Sequence, residues 1–366
     1  MKILLVGGGS GGPVVPLIAV AERIKKINSA TKFLLIGTKT GPEKLLAQEA
    51  KIDFVHIVSG KWRRYFSLKN LFTPVLLVVG FFQALKFLRH FKPNCIFGAG
   101  SFVQVPVIWA GWFLNIPSVI HQQDVVPSLA NKLCELIVKK ITVCFEKSLT
   151  DFSANFGLFY KKPNSEKVVL TGNPFREALA DGNKKIALKT LNLNNDLPVL
   201  LVLGGGTGSK FINDLIYTAP ADLFKTIQII HITGSNRNPQ PFSAKNYQSF
   251  PFLADMTNAY AVADIVLSRA GLSTLTELSN LSKLSIIIPL PNSHQEYNAF
   301  LLKSLRCALV FNQTEVTGVG LTRLIKKLLF DLPVQETLRT NISKIMQKNS
   351  AEKIAKIIIK FTNEKN

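Results

Sequence analysis

Ile3-Leu4-Leu5-Val6-Gly7-Gly8-Gly9-Ser10-Gly11-Gly12 opens the chain, and Pro198-Val199-Leu200-Leu201-Val202-Leu203-Gly204-Gly205-Gly206-Thr207-Gly208 opens its second half. Each is a short, continuously apolar run that breaks into a glycine cluster. Such runs read as strands buried on both faces, and glycine directly after a strand lets the backbone turn tightly and approach a ligand. The same device twice in 366 residues predicts two doubly wound units, not one large core.

The intervening sequence keeps this rhythm, with β-rich apolar runs alternating with helical stretches. In the first half the strand candidates are 3–6, 32–36, 54–57, 95–97, 117–121, 140–143 and 167–170. In the second half they are 198–203, 226–233, 248–252, 265–267, 285–289 and 308–311. The expected fold is α/β, two Rossmann-like doubly wound domains facing across a cleft. The polar stretch 161–167 and Gly172-Asn173-Pro174 mark the join. The expected domains are 1–165 and 166–340, followed by a basic helix in 341–366 that packs back on the first domain. Ligands of such domains bind beyond the carboxyl ends of the strands.

Forty-four Lys and Arg against 23 Asp and Glu leave a formal charge of +21, which calls for an anionic partner. No zinc-finger spacing or RNP-like run is present, so nucleic acid is not expected. Cys95, Cys134, Cys144 and Cys307 lie in apolar segments without CxxC spacing and read as core thiols. The N-terminus runs straight into a strand without the pattern of a secretory signal, which points to the cytoplasm.

Leu71 to Leu88 is the most apolar stretch, interrupted by Pro74 and Gly80. Its unbroken apolar part is about half the ~20 residues a membrane span needs. Lys61, Trp62, Arg63, Arg64, Phe66 and Lys69 precede it, and Lys86, Arg89 and Lys92 lie at its end or follow. Two readings stand: a core helix with basic flanks, or an interfacial surface that touches anionic lipid without crossing it.

Gly7, Gly9 and Gly12 satisfy the dinucleotide spacing G-x-G-x-x-G, but the second strand ends Leu35-Ile36-Gly37-Thr38-Lys39-Thr40 without the acidic residue that would hold an adenosine ribose. The second cluster has Ser209 where the third glycine would fall. NAD and FAD are therefore disfavoured. Either the glycines only make tight turns or they admit an anionic group. Ser268 to Ala299 reads as strand end, glycine turn, helix start, second strand and second polar turn. It gathers free N–H groups, the Glu277 carboxylate and the Gln295/Asn298 pair, which suits a sugar nucleotide. No Asp-x-Asp pair occurs, so the diphosphate of such a ligand would be neutralised by helix N-termini and Arg, without a metal or other cofactor.

These motifs in this order resemble the MurG family of peripheral-membrane N-acetylglucosaminyltransferases. The resemblance takes in Gly7–Gly12, Ser67–Asn70, Gly98–Phe102, His121–Asp124, Ala130–Lys132, Thr171–Pro174, Leu203–Gly205, Pro251–Met256, Ser268–Glu277, and Gln295 with Asn298-Ala299. It implies the glycosyltransferase B arrangement. The implied reaction is inverting, metal-independent transfer of N-acetylglucosamine from UDP-N-acetylglucosamine to lipid I, a polyprenyl-pyrophosphate-linked acceptor, giving lipid II for peptidoglycan. The implied location is the cytoplasmic face of the bacterial membrane.

On the donor side the resemblance implies Leu253 at uracil, Glu277 at the ribose, and Gly206 and Thr207 by the diphosphate. Arg269 would lend charge, Leu272 and Ser273 would face the sugar, Gln295 and Asn298 would read its hydroxyls, and Arg176 would sit at the hinge. Ser10, Gly11, Gly12, Phe102 and Asn131 would line the acceptor side. The chain departs from the family where a catalytic His would follow the glycine loop, because Pro13 stands there. The family's Tyr, His-Glu-Gln-Asn and Ser-Gln are here Phe102, His121-Gln122-Gln123-Asp124 and Gly206-Thr207. The base is then expected to be Asp124 or His121. Two alternatives remain open: a related transferase with another lipid-linked acceptor, or a non-catalytic member that binds the same ligands.

Overall fold

The computed structural model describes residues 1–9, 11–60, 72–152, 166–205, 208–234, 242–253 and 255–363. The chain forms two compact units, Met1–Arg176 with Gln347–Asn366, and Glu177–Met346.

The first unit contains a seven-stranded parallel sheet: β1 (Lys2–Val6), β2 (Lys32–Gly37), β3 (Asp53–His56), β4 (Cys95–Gly98), β5 (Ser118–Gln122), β6 (Lys140–Val143) and β7 (Val168–Leu170), in the order β3-β2-β1-β4-β5-β6-β7. The second contains β8 (Val199–Leu203), β9 (Gln228–Ile232), β10 (Tyr247–Phe250), β11 (Ile265–Ser268), β12 (Ser285–Ile287) and β13 (Leu309–Val310), in the order β10-β9-β8-β11-β12-β13. All pairings are parallel. Both sheets are therefore doubly wound, with the strand order reversing at β1/β4 and at β8/β11. All thirteen strand candidates appear, shifted by a residue or two at their ends.

The central strands earn this placement by composition. β1 and β8 are buried on both faces and carry only aliphatic residues beyond Lys2, so helices must cover both sides. Leu4 and Val6 join the core on one face, and Ile3 and Leu5 join the core on the other. β7 continues the first sheet, so the first unit runs through Thr171-Gly172-Asn173-Pro174 to Arg176.

The last helix, Ser350–Asn363, belongs to the first unit, where Ile354, Ala355 and Ile358 enter the same core as Ile3, Leu17 and Ile18. An Arg23–Glu352 ion pair of 2.6 Å ties it to the helix Val14–Ile27. Cutting Ile358 to Ala should lower the unfolding free energy by about 2–5 kcal/mol through the cavity it leaves. Exposed Lys360→Ala on the same helix should stay within about 0.5 kcal/mol. Urea denaturation of both variants checks this, and similar midpoints for the two would contradict the buried docking of this helix.

Candidate functional site

At the β8/β11 reversal the loop after β8 meets the turn after β11. Gly205 adopts φ +84°, a left-handed value that a side chain resists, and the chain then enters the helix Lys210–Tyr217 through its cap Ser209. Arg269, the first residue past β11, is buried and spends all five N–H donors on protein. Its Nε and Nη2 donate to Ser209 Oγ at 3.1 and 2.8 Å, and Nη2 also donates to Gln313 Oε1 at 2.5 Å. Its Nη1 donates to the carbonyls of Ile288 and Pro289 at 3.1 and 2.8 Å.

One guanidinium thus stitches the ends of four neighbouring strands. Burial pulls its pKa down to about 10, which still leaves it charged at neutral pH. Among the described residues no carboxylate pairs with it, so the charge stays available to the loop at Gly204–Ser209.

The second polar turn is fastened to the same place. Asn298, buried on the helix Gln295–Ser304, donates Nδ2 to the Ala270 carbonyl at 3.1 Å, and Gln295 Oε1 accepts from Leu290 N at 3.0 Å. The helix Leu272–Asn280 starts after Gly271 with no side chain capping its first N–H groups. Leu272 is buried beneath it, while Ser273 and Glu277 are half-buried. Glu277 Oε2 accepts from the Tyr260 hydroxyl at 2.5 Å, and burial together with that carboxylate raises the Tyr260 pKa well above its ordinary value. Leu253 is half-buried beyond β10. Gly206 and Thr207 lie outside the described residues.

The β1/β4 reversal repeats the plan. Gly9 has φ +83°, and Phe102 lies against it: a Cβ there would stand 2.8 Å from the ring. Ser101 Oγ donates to the Gly8 carbonyl at 2.9 Å. Beneath these loops runs a chain of buried amides. Gln104 donates to Asn131 Oδ1 at 2.6 Å, and Asn131 Nδ2 donates to Gln122 Oε1 and to the His121 carbonyl at 2.7 and 3.2 Å. Asn131 has no exposed surface, so its amide holds the loops in place. Ser10 and the cluster Lys61, Trp62, Arg63, Arg64, Phe66 and Lys69 lie outside the described residues. Arg176 pairs with Glu22 at 3.2 Å within this unit.

His121 is enclosed on β5. Its Nδ1 shares a hydrogen bond of 2.9 Å with Thr142 Oγ1 and its Nε2 one of 2.9 Å with Asn173 Oδ1. Desolvation drops its pKa to about 4 against those bonds, so it is neutral at physiological pH. With both ring nitrogens engaged and no exposed surface, the ring joins β5 to β6 and to the segment after β7. Asp124 lies on the loop after β5 and is half-buried. Pro13 leads into the helix Val14–Ile27, whose Val14 and Val15 donate to the Gly11 carbonyl at 3.0 and 3.1 Å. Glu43, which the sequence reading passed over, is fully buried and accepts from Gly9 N and Thr38 Oγ1.

Residues 3–143 match the glycosyltransferase family 28 N-terminal domain and residues 199–358 match the family 28 C-terminal domain. The chain is 36% identical over 333 residues to the UDP-N-acetylglucosamine--N-acetylmuramyl-(pentapeptide) pyrophosphoryl-undecaprenol N-acetylglucosamine transferase of Clostridium kluyveri, covering 89% of this chain and 91% of the relative. The chain belongs to the MurG family.

The Thermoanaerobacter sp. member of the family is 34% identical over 374 aligned positions, covering 99% of this chain and all of the relative. Among solved structures, MurG of Acinetobacter baumannii superposes with a TM-score of 0.68 at 22% identity, covering 98% of this chain and 100% of that one. The UDP-GlcNAc 2-epimerase of Neisseria meningitidis bound to UDP-GlcNAc gives 0.69 at 16%, again over 98% and 100%. At those identities the two superpositions show the shared fold of two Rossmann-like domains.

Two measurements follow from this geometry. Arg269→Lys keeps the charge but cannot reach all four loops, so UDP affinity measured by calorimetry should fall about tenfold or more. Unchanged affinity in a folded variant would contradict the stitching role. His121 and His231 each have a pKa lowered by burial to about 4, below the usual 6.5. A depressed histidine stabilises the fold above 6.5 and loses that contribution as pH falls and the unfolded chain takes up protons. Folding stability should therefore drop by about 2 kcal/mol per histidine between pH 7 and pH 5, with His121→Asn flattening part of the slope in urea titrations.

Proposed function

We propose that the protein transfers N-acetylglucosamine from UDP-N-acetylglucosamine to lipid I, forming lipid II for peptidoglycan. The observation that carries the donor half is the buried Arg269, which has no carboxylate partner among the described residues, fastened to Ser209 at the end of the second glycine loop and lying near the uncapped helix at Leu272. A fixed cation and aligned N–H groups stabilise the negative charge that develops on a departing UDP. Glu277, oriented by Tyr260, takes the ribose hydroxyls. Leu253 meets the base, and Ser273, Gln295 and Asn298 bound the sugar. The chain has no Asp-x-Asp pair, and we infer that leaving-group stabilisation needs no divalent cation.

The acceptor hydroxyl attacks the anomeric carbon as the bond to the UDP oxygen breaks, inverting the centre, and its proton passes to a base. With His121 closed off and Pro13 unable to accept a proton, that base is Asp124.

The membrane reading has its own support. The helix Thr73–Phe91 has a mean hydropathy of 1.3 and is long enough to cross a bilayer, but Ala84, Leu85 and Leu88 are sunk in the first unit's core. Gly80 lets it lie so close that a Cβ there would stand 2.3 Å from the Val58 carbonyl. Its other face exposes Val75, Val78 and Phe82. Phe81 meets Phe113 edge-on at 6.2 Å, beside exposed Trp112 on the helix Gln104–Phe113. Exposed Leu133 adjoins this helix through the Trp109 Nε1 bond to its carbonyl at 3.1 Å, and Lys86 and Arg89 are exposed on the same long helix as Phe82. A contiguous apolar face edged with cations suits insertion into the headgroup region of an anionic membrane. The protein thus works at the cytoplasmic face, where its lipid-linked acceptor resides.

Radiolabelled UDP-N-acetylglucosamine with purified lipid I should yield labelled lipid II at the same rate with and without EDTA. Asp124→Asn should cut turnover about 100-fold or more while UDP affinity holds. Binding of the donor without transfer would indicate a non-catalytic member, and transfer only to another lipid would indicate a different acceptor. In vesicle flotation, Phe82→Glu with Trp112→Glu should abolish recovery with anionic vesicles. Equal recovery of wild type with neutral and anionic vesicles would overturn the electrostatic part.

A further inference from the structure

Glu43 begins the helix Glu43–Glu49, six residues past the end of β2, and folds back under the first glycine loop. Its side chain has no exposed surface. Its Oε1 accepts from the Gly9 backbone N–H, from Thr38 Oγ1 at 2.8 Å and from Thr38 N at 3.4 Å. Among the described residues its Oε2 has no hydrogen-bond partner.

Three glycines make room for the carboxyl group. A Cβ on Gly8 would stand 2.2 Å from Oε1, one on Gly41 1.8 Å from Oε2, and one on Gly37 3.1 Å from the Glu43 Cβ. From the other side Ser101 holds the Gly8 carbonyl and the Phe102 ring closes over Gly9. The loop is therefore clamped between a buried carboxyl group and the β4 turn. A buried polar group left short of partners is costly, so its retention in such a cradle points to a task beyond packing.

We propose that Glu43 is a positioning residue that fixes the conformation of the first glycine loop for the acceptor. It commits the Gly9 N–H and holds Gly9 in its left-handed turn. What the loop presents to an acceptor is then set by Gly11 onward, where Pro13 has removed one further donor. This rests on the reading of the first unit as the acceptor side. Loss of the carboxyl group frees the loop, which then samples several conformations.

Hydrogen exchange on the substrate-free protein tests this without reference to any acceptor. In Glu43→Ala, amide exchange across Gly7–Gly12 should rise about tenfold or more, while Glu43→Gln, whose amide oxygen can still take the Gly9 N–H, stays near wild type. With lipid I, Glu43→Ala should raise the acceptor KM and lower kcat, with the KM for UDP-N-acetylglucosamine unchanged and Glu43→Gln restoring most of the loss. If Glu43→Ala does not fold, Thr38→Val removes one donor to the carboxyl group and should give the same pattern at smaller size. Unchanged loop exchange in these variants, or equal changes in both KM values, would overturn the proposal. Failure of wild type to use lipid I, with the exchange pattern intact, would count against the acceptor reading alone.

Discussion

Where the strand order of a parallel sheet reverses, the connections from the two neighbouring strands leave toward opposite faces, and the crevice that opens at the carboxyl edge has to be braced. Each unit of this chain solves that constraint with a buried polar side chain. In the second unit Arg269 ties the turn after β11 to the loop after β8 and reaches the ends of β12 and β13. In the first, Ser101 ties the turn after β4 to the loop after β1, and Glu43 braces that loop from the β2 side. The rest of each fold holds these fastenings in place.

The two units share topology and a glycine turn near φ +83°, yet they bury opposite chemistry beneath it. A guanidinium without a carboxylate partner among the described residues favours an anion at the second glycine loop. A carboxyl group under the first loop, together with Pro13, withdraws donors from it. In the proposed reaction this asymmetry would divide the labour: one unit would neutralise a departing diphosphate and the other would present a hydroxyl-bearing acceptor.

The sheets were legible because their central strands are buried on both faces. Continuous runs such as Val199–Leu203 have no other stable setting, and the doubled glycine clusters announced the doubled fold. The stretch from Ser268 to Ala299 was legible for the same reason, since strand, turn and helix follow one another locally. The buried networks were not. Nothing in the local sequence says that Glu43 turns inward to Gly9, because that contact also depends on room left by Gly8, far along the chain. Nor does it say that His121 faces Asn173 across the sheet and not solvent, since on a strand buried on both faces alternation no longer separates inside from outside.

The central claim is that the nucleotide binds at the β8/β11 reversal under the field of Arg269. A crystal structure of the protein soaked with UDP-N-acetylglucosamine tests it most directly. The account expects the diphosphate at the loop Gly204–Ser209 and the helix start at Leu272, with the ribose on Glu277. A nucleotide seated instead at the first glycine loop, over Gly9 and Phe102, would contradict it.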